Sequence, residues 1–341
     1  MKKILLLVAL VTTSLISCSE SKNNEPIPEP NIEDEFITVS LKAGGELIGT
    51  ESPLNRAETN SRALYGVQIC ISPDKIMDYS LETATKIAFG VFDDLKYAKV
   101  DLPKNKKYII EVTYIPYGKD VIHYHTDKKC WEMPFNTFSW SASPLNEIQY
   151  STSEYIYCLA MGANTPVGSG NNRGDSWHLE VDRYYGVLLG FEPTNDNNIA
   201  TIDMKRTVFG LTFNAKKSIE KNYDKILIQL NADEHFLGGS GPKKYYLTMD
   251  ANESVSQLVI PYICLWYPGL SVVDETYLEE IVVSIGTDER TDEIFYGTIK
   301  VKRNTMHTYD FDAVPQLLTK SGINVTIDPT PMQTEVGQFF N

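Results

Sequence analysis

One pattern dominates the second half of the chain: a short run in which apolar side chains take every second position, then a turn, then another such run. The runs are Met204–Phe213, Lys225–Asn231, Tyr245–Met249, Ser256–Ile263, Glu280–Ile285, Glu293–Val301 and Met306–Phe311, with a further one at Gly322–Ile327. A period of two buries one face of a strand and wets the other. Runs repeating every ten residues or so, with no amphipathic helix longer than about two turns between them, favour sandwiches over βαβ units.

The first half carries the same signal. Ile37, Val39 and Leu41 alternate with Phe36, Thr38 and Ser40, and strand-like runs follow at Leu64–Ile71, Lys86–Phe92, Ala98–Leu102, Tyr108–Tyr114 and Val121–His125. Ser80–Ala88 has weak helix character, and Ile148–Met161 fits helix or strand. Gly162–Ser176 is a loop by its glycine content. The turn-rich stretch Glu192–Asn198 precedes a fresh series of runs and marks a boundary, and 341 residues at roughly 150 per domain agree with two units. The expected fold is all-β, with two consecutive β-sandwich domains over 36–198 and 199–341.

The N-terminus is an address. Lys2 and Lys3 precede an apolar run, Ile4–Val11, too short to span a bilayer, and Leu15-Ile16-Ser17-Cys18 follows. This pattern resembles the lipobox of bacterial lipoproteins, which implies a signal peptide over 1–17, acylation of Cys18 and lipid anchoring in the outer membrane at the cell surface. Residues 18–35 are acidic and proline-rich with little apolar surface, and read as a disordered tether. Net charge is −14, from 31 Lys and Arg against 45 Asp and Glu, which argues against nucleic acid as a partner. Cys70, Cys130, Cys158 and Cys264 form no CxxC pair; they read as buried thiols, with their disulfide state open.

Lipobox, tether, first strand, Arg-containing loop and two β domains together resemble the fimbrillin superfamily of surface lipoproteins. Lys205-Arg206-Thr207-Val208-Phe209 and Val301-Lys302-Arg303-Asn304-Thr305-Met306 are similar to strand-edge patterns in that family, while Leu64–Ile69 and Ala88–Asp94 resemble related lipoproteins. The resemblance implies transthyretin-like, Ig-like sandwiches and a non-enzymatic role as fimbrial subunit, anchor or adhesin. Its implied partners are the membrane through acylated Cys18, further copies or other fimbrial subunits, and a host protein or glycan. Polymerising members are cut after an Arg and exchange strands; here the cut would follow Arg56 or Arg62 and release Phe36–Leu41. Anchor-type members stay uncut.

Other chemistry finds little support. There is no GxSxG or HExxH, and the paired acids Asp93-Asp94 and Glu279-Glu280 suit solvation better than acid–base work. His123 and His125 share a strand face near Cys130, but structural zinc wants four ligands, so no metal and no cofactor are expected. Arg173-Gly174-Asp175 reads as a flexible turn. Trp131, Trp140, Trp177 and Trp266, with Tyr155, Tyr157, Tyr184 and Tyr185, keep an alternative open: a surface glycan-binding lipoprotein of a polysaccharide uptake system.

Overall fold

The computed structural model describes residues 35–49, 61–72, 84–133, 142–154, 181–217, 225–231, 243–249, 254–265, 272–286, 291–313 and 324–331. In chain order the first strands are β1 (Phe36–Gly45), β2 (Leu64–Ile71), β3 (Thr85–Phe92), β4 (Lys99–Pro103) and β5 (Tyr108–Ile115). They continue with β6 (Tyr124–His125), β7 (Cys130–Glu132), β8 (Ala142–Ser143), β9 (Glu147–Glu154), β10 (Tyr184–Phe191) and β11 (Ile199–Arg206). The remainder are β12 (Val208–Lys217), β13 (Lys225–Asn231), β14 (Lys243–Thr248), β15 (Val255–Cys264), β16 (Thr276–Gly286), β17 (Thr291–Lys302), β18 (Thr305–Ala313) and β19 (Asn324–Pro331). Two single helical turns, α1 (Glu46–Gly49) and α2 (Gly118–Val121), and a 3-10 turn at Leu95–Tyr97 are the helical elements among the described residues. The protein is all-β, as the alternation requires.

Eight strands form one sheet in the order β4-β1-β11-β10-β5-β2-β3-β9. Its two edges approach one another, since Asp101 N in β4 donates to Tyr150 Oη in β9 at 2.9 Å. The enclosed core takes Ile37, Val39 and Leu41 from β1, Val67 and Ile69 from β2, Val100 and Leu102 from β4, Ile110 and Val112 from β5, and Ala200, Ile202 and Met204 from β11. Each contribution follows the period of two read in the sequence.

The second half builds two four-stranded sheets, β15-β12-β18-β19 and β14-β13-β16-β17. Their inner faces meet through Phe209, Leu211, Phe213 and Ala215 of β12, Ile226, Ile228 and Leu230 of β13, Ile281 and Val283 of β16, and Tyr309 of β18. This is a sandwich core.

Two sequence readings change. Met204–Phe213 is not one strand: it is split between β11 and β12, with Thr207 between them. The backbone is diverted there because Thr207 N donates to Arg183 O at 2.9 Å and Thr207 O accepts from Leu265 N at 3.0 Å. The run Val121–His125 begins as the end of α2 and keeps only Tyr124–His125 as strand. Beyond Glu192–Asn198, β11 pairs in parallel with β1 and antiparallel with β10, so the strands that build the two four-stranded sheets start at Val208.

Candidate functional site: the first strand and its carboxylate lock

β1 lies between two neighbours. It pairs antiparallel with β4, Val39 opposite Val100, and parallel with β11, Leu41 opposite Ala200. Ile37, Val39 and Leu41 are 6%, 0% and 2% exposed, whereas Thr38 faces out and donates to Asp101 Oδ1 at 2.6 Å. At the end of β1 the chain turns through Gly45, whose φ of +67° is a left-handed value. A Cβ at Gly45 would stand 2.9 Å from the Met204 carbonyl oxygen and against the Asp203 carboxylate, on a left-handed backbone that favours glycine.

That turn delivers Glu46. Its Oε2 accepts from Arg206 N at 3.0 Å and from Arg303 Nη1 at 2.8 Å, and its Oε1 accepts from Arg303 Nη2 at 2.8 Å. Arg303 sits in the turn between β17 and β18, with its side chain 4% exposed; it also donates from Nη1 to Arg206 O at 3.2 Å and pairs through Nη2 with the exposed Asp274 at 2.5 Å. One carboxylate thus ties the first strand to the end of β11 and to a hairpin turn of the second half.

Arg206 is itself fixed. Its Nε and Nη2 donate to Asp182 Oδ1 and Oδ2 at 2.8 and 2.9 Å, and its guanidinium lies between the Tyr184 and Tyr262 rings, 5.7 and 5.5 Å from their centroids. Burial pushes the Asp182 carboxyl above the usual carboxylate range and Arg206 pulls against it. The bidentate geometry joins that carboxyl to a guanidinium that never deprotonates. The cluster presents no nucleophile and no free base. Its chemistry is fastening: Glu46, Asp274 and Asp182 neutralise the two nearly dry cations Arg303 and Arg206 at the place where the chain passes from one set of sheets to the next.

Of the residues expected to carry function, Cys18 and Arg56 lie outside the described residues. Arg62 lies on the turn before β2, ion-paired with Asp120 and 5.1 Å above the Tyr117 ring, and its carbonyl accepts from Lys119 N at 2.8 Å. Ala63 and Leu64 beyond it are 2% and 0% exposed. Cys70, Cys130 and Cys264 are buried, and burial pushes the Cys70 and Cys264 thiols up; Cys158 lies outside the described residues.

Tyr184 and Tyr185 are interior, Tyr185 donating to buried Glu111 Oε1 at 2.5 Å, so neither is a sugar platform. Trp131 is half-buried against Tyr124. Trp140, Trp177, Trp266, Tyr155, Tyr157 and the Arg173-Gly174-Asp175 tripeptide lie outside the described residues. Asp93 is held by Asn146 and Lys119, and Asp94 caps the 3-10 turn. Glu279 faces the second core at 2% exposure, and burial pushes its carboxyl up to about 7.

Sequence reasoning missed Glu46, Arg303 and Asp182 as a cluster, because their separations along the chain hide the contact. It also missed Glu132, which accompanies His123 and His125 across a hairpin.

No protein-family model matches the chain, and no curated protein matches it. Among solved structures it is similar to the fimbrial anchor protein Mfa2 from Porphyromonas gingivalis, at 9% identity over 87% of this chain and 98% of that one, with a TM-score of 0.38. It is similar to a candidate adhesin from Bacteroides thetaiotaomicron, at 12% identity over 85% and 96% of the two chains, TM-score 0.38. A candidate polysaccharide-binding protein from the same organism matches at 8% identity over 86% and 95%, TM-score 0.41.

Proposed function

We propose that this chain is a non-enzymatic, lipid-anchored cell-surface protein of fimbrillin type that works uncut, as an anchor subunit or adhesin, with its first strand kept in place. The observation that carries the reading is the lock on β1: Glu46, one residue beyond the strand, is held by both Arg206 and Arg303. The lipobox at Cys18 and the acidic tether supply the membrane attachment, in the outer membrane and facing out. Two of the three solved structures named above are described as a fimbrial anchor and an adhesin, the class of the family the sequence resembles; the third is described as polysaccharide-binding, in line with the glycan-binding alternative.

Burial of Ala63 and Leu64 supports an uncut chain at Arg62. A protease that reads Arg must draw the side chain into a pocket and hold the residues that follow in extended form, and here those residues are the start of a core strand. The proposed domain organisation keeps a signal peptide, a tether and two sandwiches, with β11 counted in the first and the second opening at Val208.

β1 is also where assembly would act. Its removal would leave the facing edges of β4 and β11 unpaired and bare an apolar stripe, and a strand from another subunit satisfies both needs. It would also strand the Arg303 and Arg206 groups, so an incoming strand needs an acid at the position of Glu46. The test is to place a specific protease site between residues 50 and 60, cut the folded chain, and measure whether residues 35–49 stay bound. Retention of that segment, weakened by Glu46→Ala, is expected. Spontaneous release of the segment from the unaltered chain on cutting would overturn the reading.

A further inference from the structure

Strands β6, β7 and β8 form a small three-stranded sheet separate from the larger ones. Its first hairpin pairs Tyr124 with Trp131 and His125 with Cys130, and Glu132 N donates to His123 O at 3.0 Å. Residues opposite one another in an antiparallel pair point to the same face. Tyr124 and Trp131 therefore share one face, where their ring centroids lie 4.9 Å apart. His123, His125 and Glu132 share the other. One nitrogen from each imidazole and one Glu132 oxygen all lie within 4.8 Å of one another. The His125 Nε2 to Glu132 Oε1 distance is 3.0 Å, and the two imidazole rings meet edge to face with centroids 4.5 Å apart.

We propose that His123, His125 and Glu132 bind one divalent transition-metal ion of the zinc type. His123, His125 and Cys130 stand near one another along the chain, and the fold brings in the Glu132 carboxylate beside the two imidazoles. Cys130 Sγ instead donates to Lys128 O at 3.2 Å, inside the turn. Two imidazoles and one carboxylate are a donor set for zinc or copper and not for calcium or magnesium, which take oxygen throughout. Ligand atoms around tetrahedral zinc stand about 3.3–3.5 Å apart, given bonds of about 2.0–2.2 Å. The His125–Glu132 pair, hydrogen-bonded at 3.0 Å, stands a few tenths of an ångström closer than that spacing and opens slightly to admit the ion, and all three ligand atoms already lie within 4.8 Å of one another. The fourth position belongs to water. The hairpin fixes all three ligands on adjacent strands, so little order is lost on binding.

Equilibrium dialysis of the full chain against zinc, after stripping with chelator, tests the proposal. One ion per chain is expected, with His123→Gln, His125→Gln and Glu132→Gln each weakening binding about tenfold or more, and Cys130→Ser leaving it unchanged. Cobalt bound to the unaltered chain should give tetrahedral d–d absorption without a thiolate charge-transfer band, a readout that needs no variant. Zinc should raise the melting temperature of the unaltered chain and not that of His125→Gln. Binding that survives His125→Gln at full strength would place the ion on the acidic surface and overturn the proposal, as would the absence of any retained zinc or a thiolate band in the cobalt spectrum.

Discussion

Replacing Glu46 by Ala removes the carboxylate that joins β1 to the rest of the molecule. Arg303, with its side chain 4% exposed, loses two charge-assisted hydrogen bonds while keeping Asp274 and the Arg206 carbonyl, and Arg206 N loses its acceptor. Breaking a fully buried pair from one side costs about 3–5 kcal/mol. Glu46 is 29% exposed and Asp274 remains, which brings the ion-pair part toward about 2 kcal/mol, and the orphaned backbone donor adds about 1 kcal/mol. A total near 3 kcal/mol, at a urea dependence of about 2 kcal/mol per molar, lowers the unfolding midpoint by about 1.5 M. Circular dichroism in a urea series reads this. The double variant Glu46→Leu/Arg303→Met should recover much of the loss, because no buried charge is then left alone. A single variant within about 0.5 kcal/mol of the parent, or a double variant as weak as the sum of the singles, would refute the lock.

Leu41→Ala should destabilise the chain by about 2–5 kcal/mol, since that side chain is 2% exposed in the first core, while Thr38→Ala on the opposite face of β1 stays within about 1 kcal/mol; urea melts of both compare the two faces. Gly45→Ala forces a side chain into a left-handed backbone against Asp203 and should lower the melting temperature by several degrees in calorimetry. Glu279 has its folded pKa raised to about 7 from an ordinary 4.5, so the folded state holds a proton that the unfolded chain releases across that window. Stability therefore falls as pH rises from about 4.5 to 7, by up to about 3 kcal/mol, and Glu279→Gln should flatten that slope in melts run from pH 4 to pH 8.

Fold class was legible because the core positions obey one rule. Ile37, Val39 and Leu41 alternate in the sequence and alternate in burial, and the runs at Leu64–Ile71 and Lys225–Asn231 match β2 and β13 residue for residue. The break at Thr207 left a trace that went unread. Large apolar side chains stand at even positions at Ile202 and Met204 and at odd positions at Phe209, Leu211 and Phe213, and such a phase change means a change of sheet. β10 was hidden because it buries Tyr184 and Tyr185 in succession and exposes Leu189. The lock was out of reach: Glu46 and Arg303 are 257 residues apart, and nothing local in either segment names the other. Glu132 was closer to hand, since reading Tyr124–His125 and Cys130–Glu132 as one hairpin would have set it opposite His123.

The most direct test of an anchored, uncut surface protein is the intact mass and N-terminal sequence of the chain recovered from its native cell surface. The account predicts a chain that begins at Cys18, carries acyl groups there and is continuous through Arg56 and Arg62. A lipid-free chain that begins at Ala57 or Ala63 would contradict it.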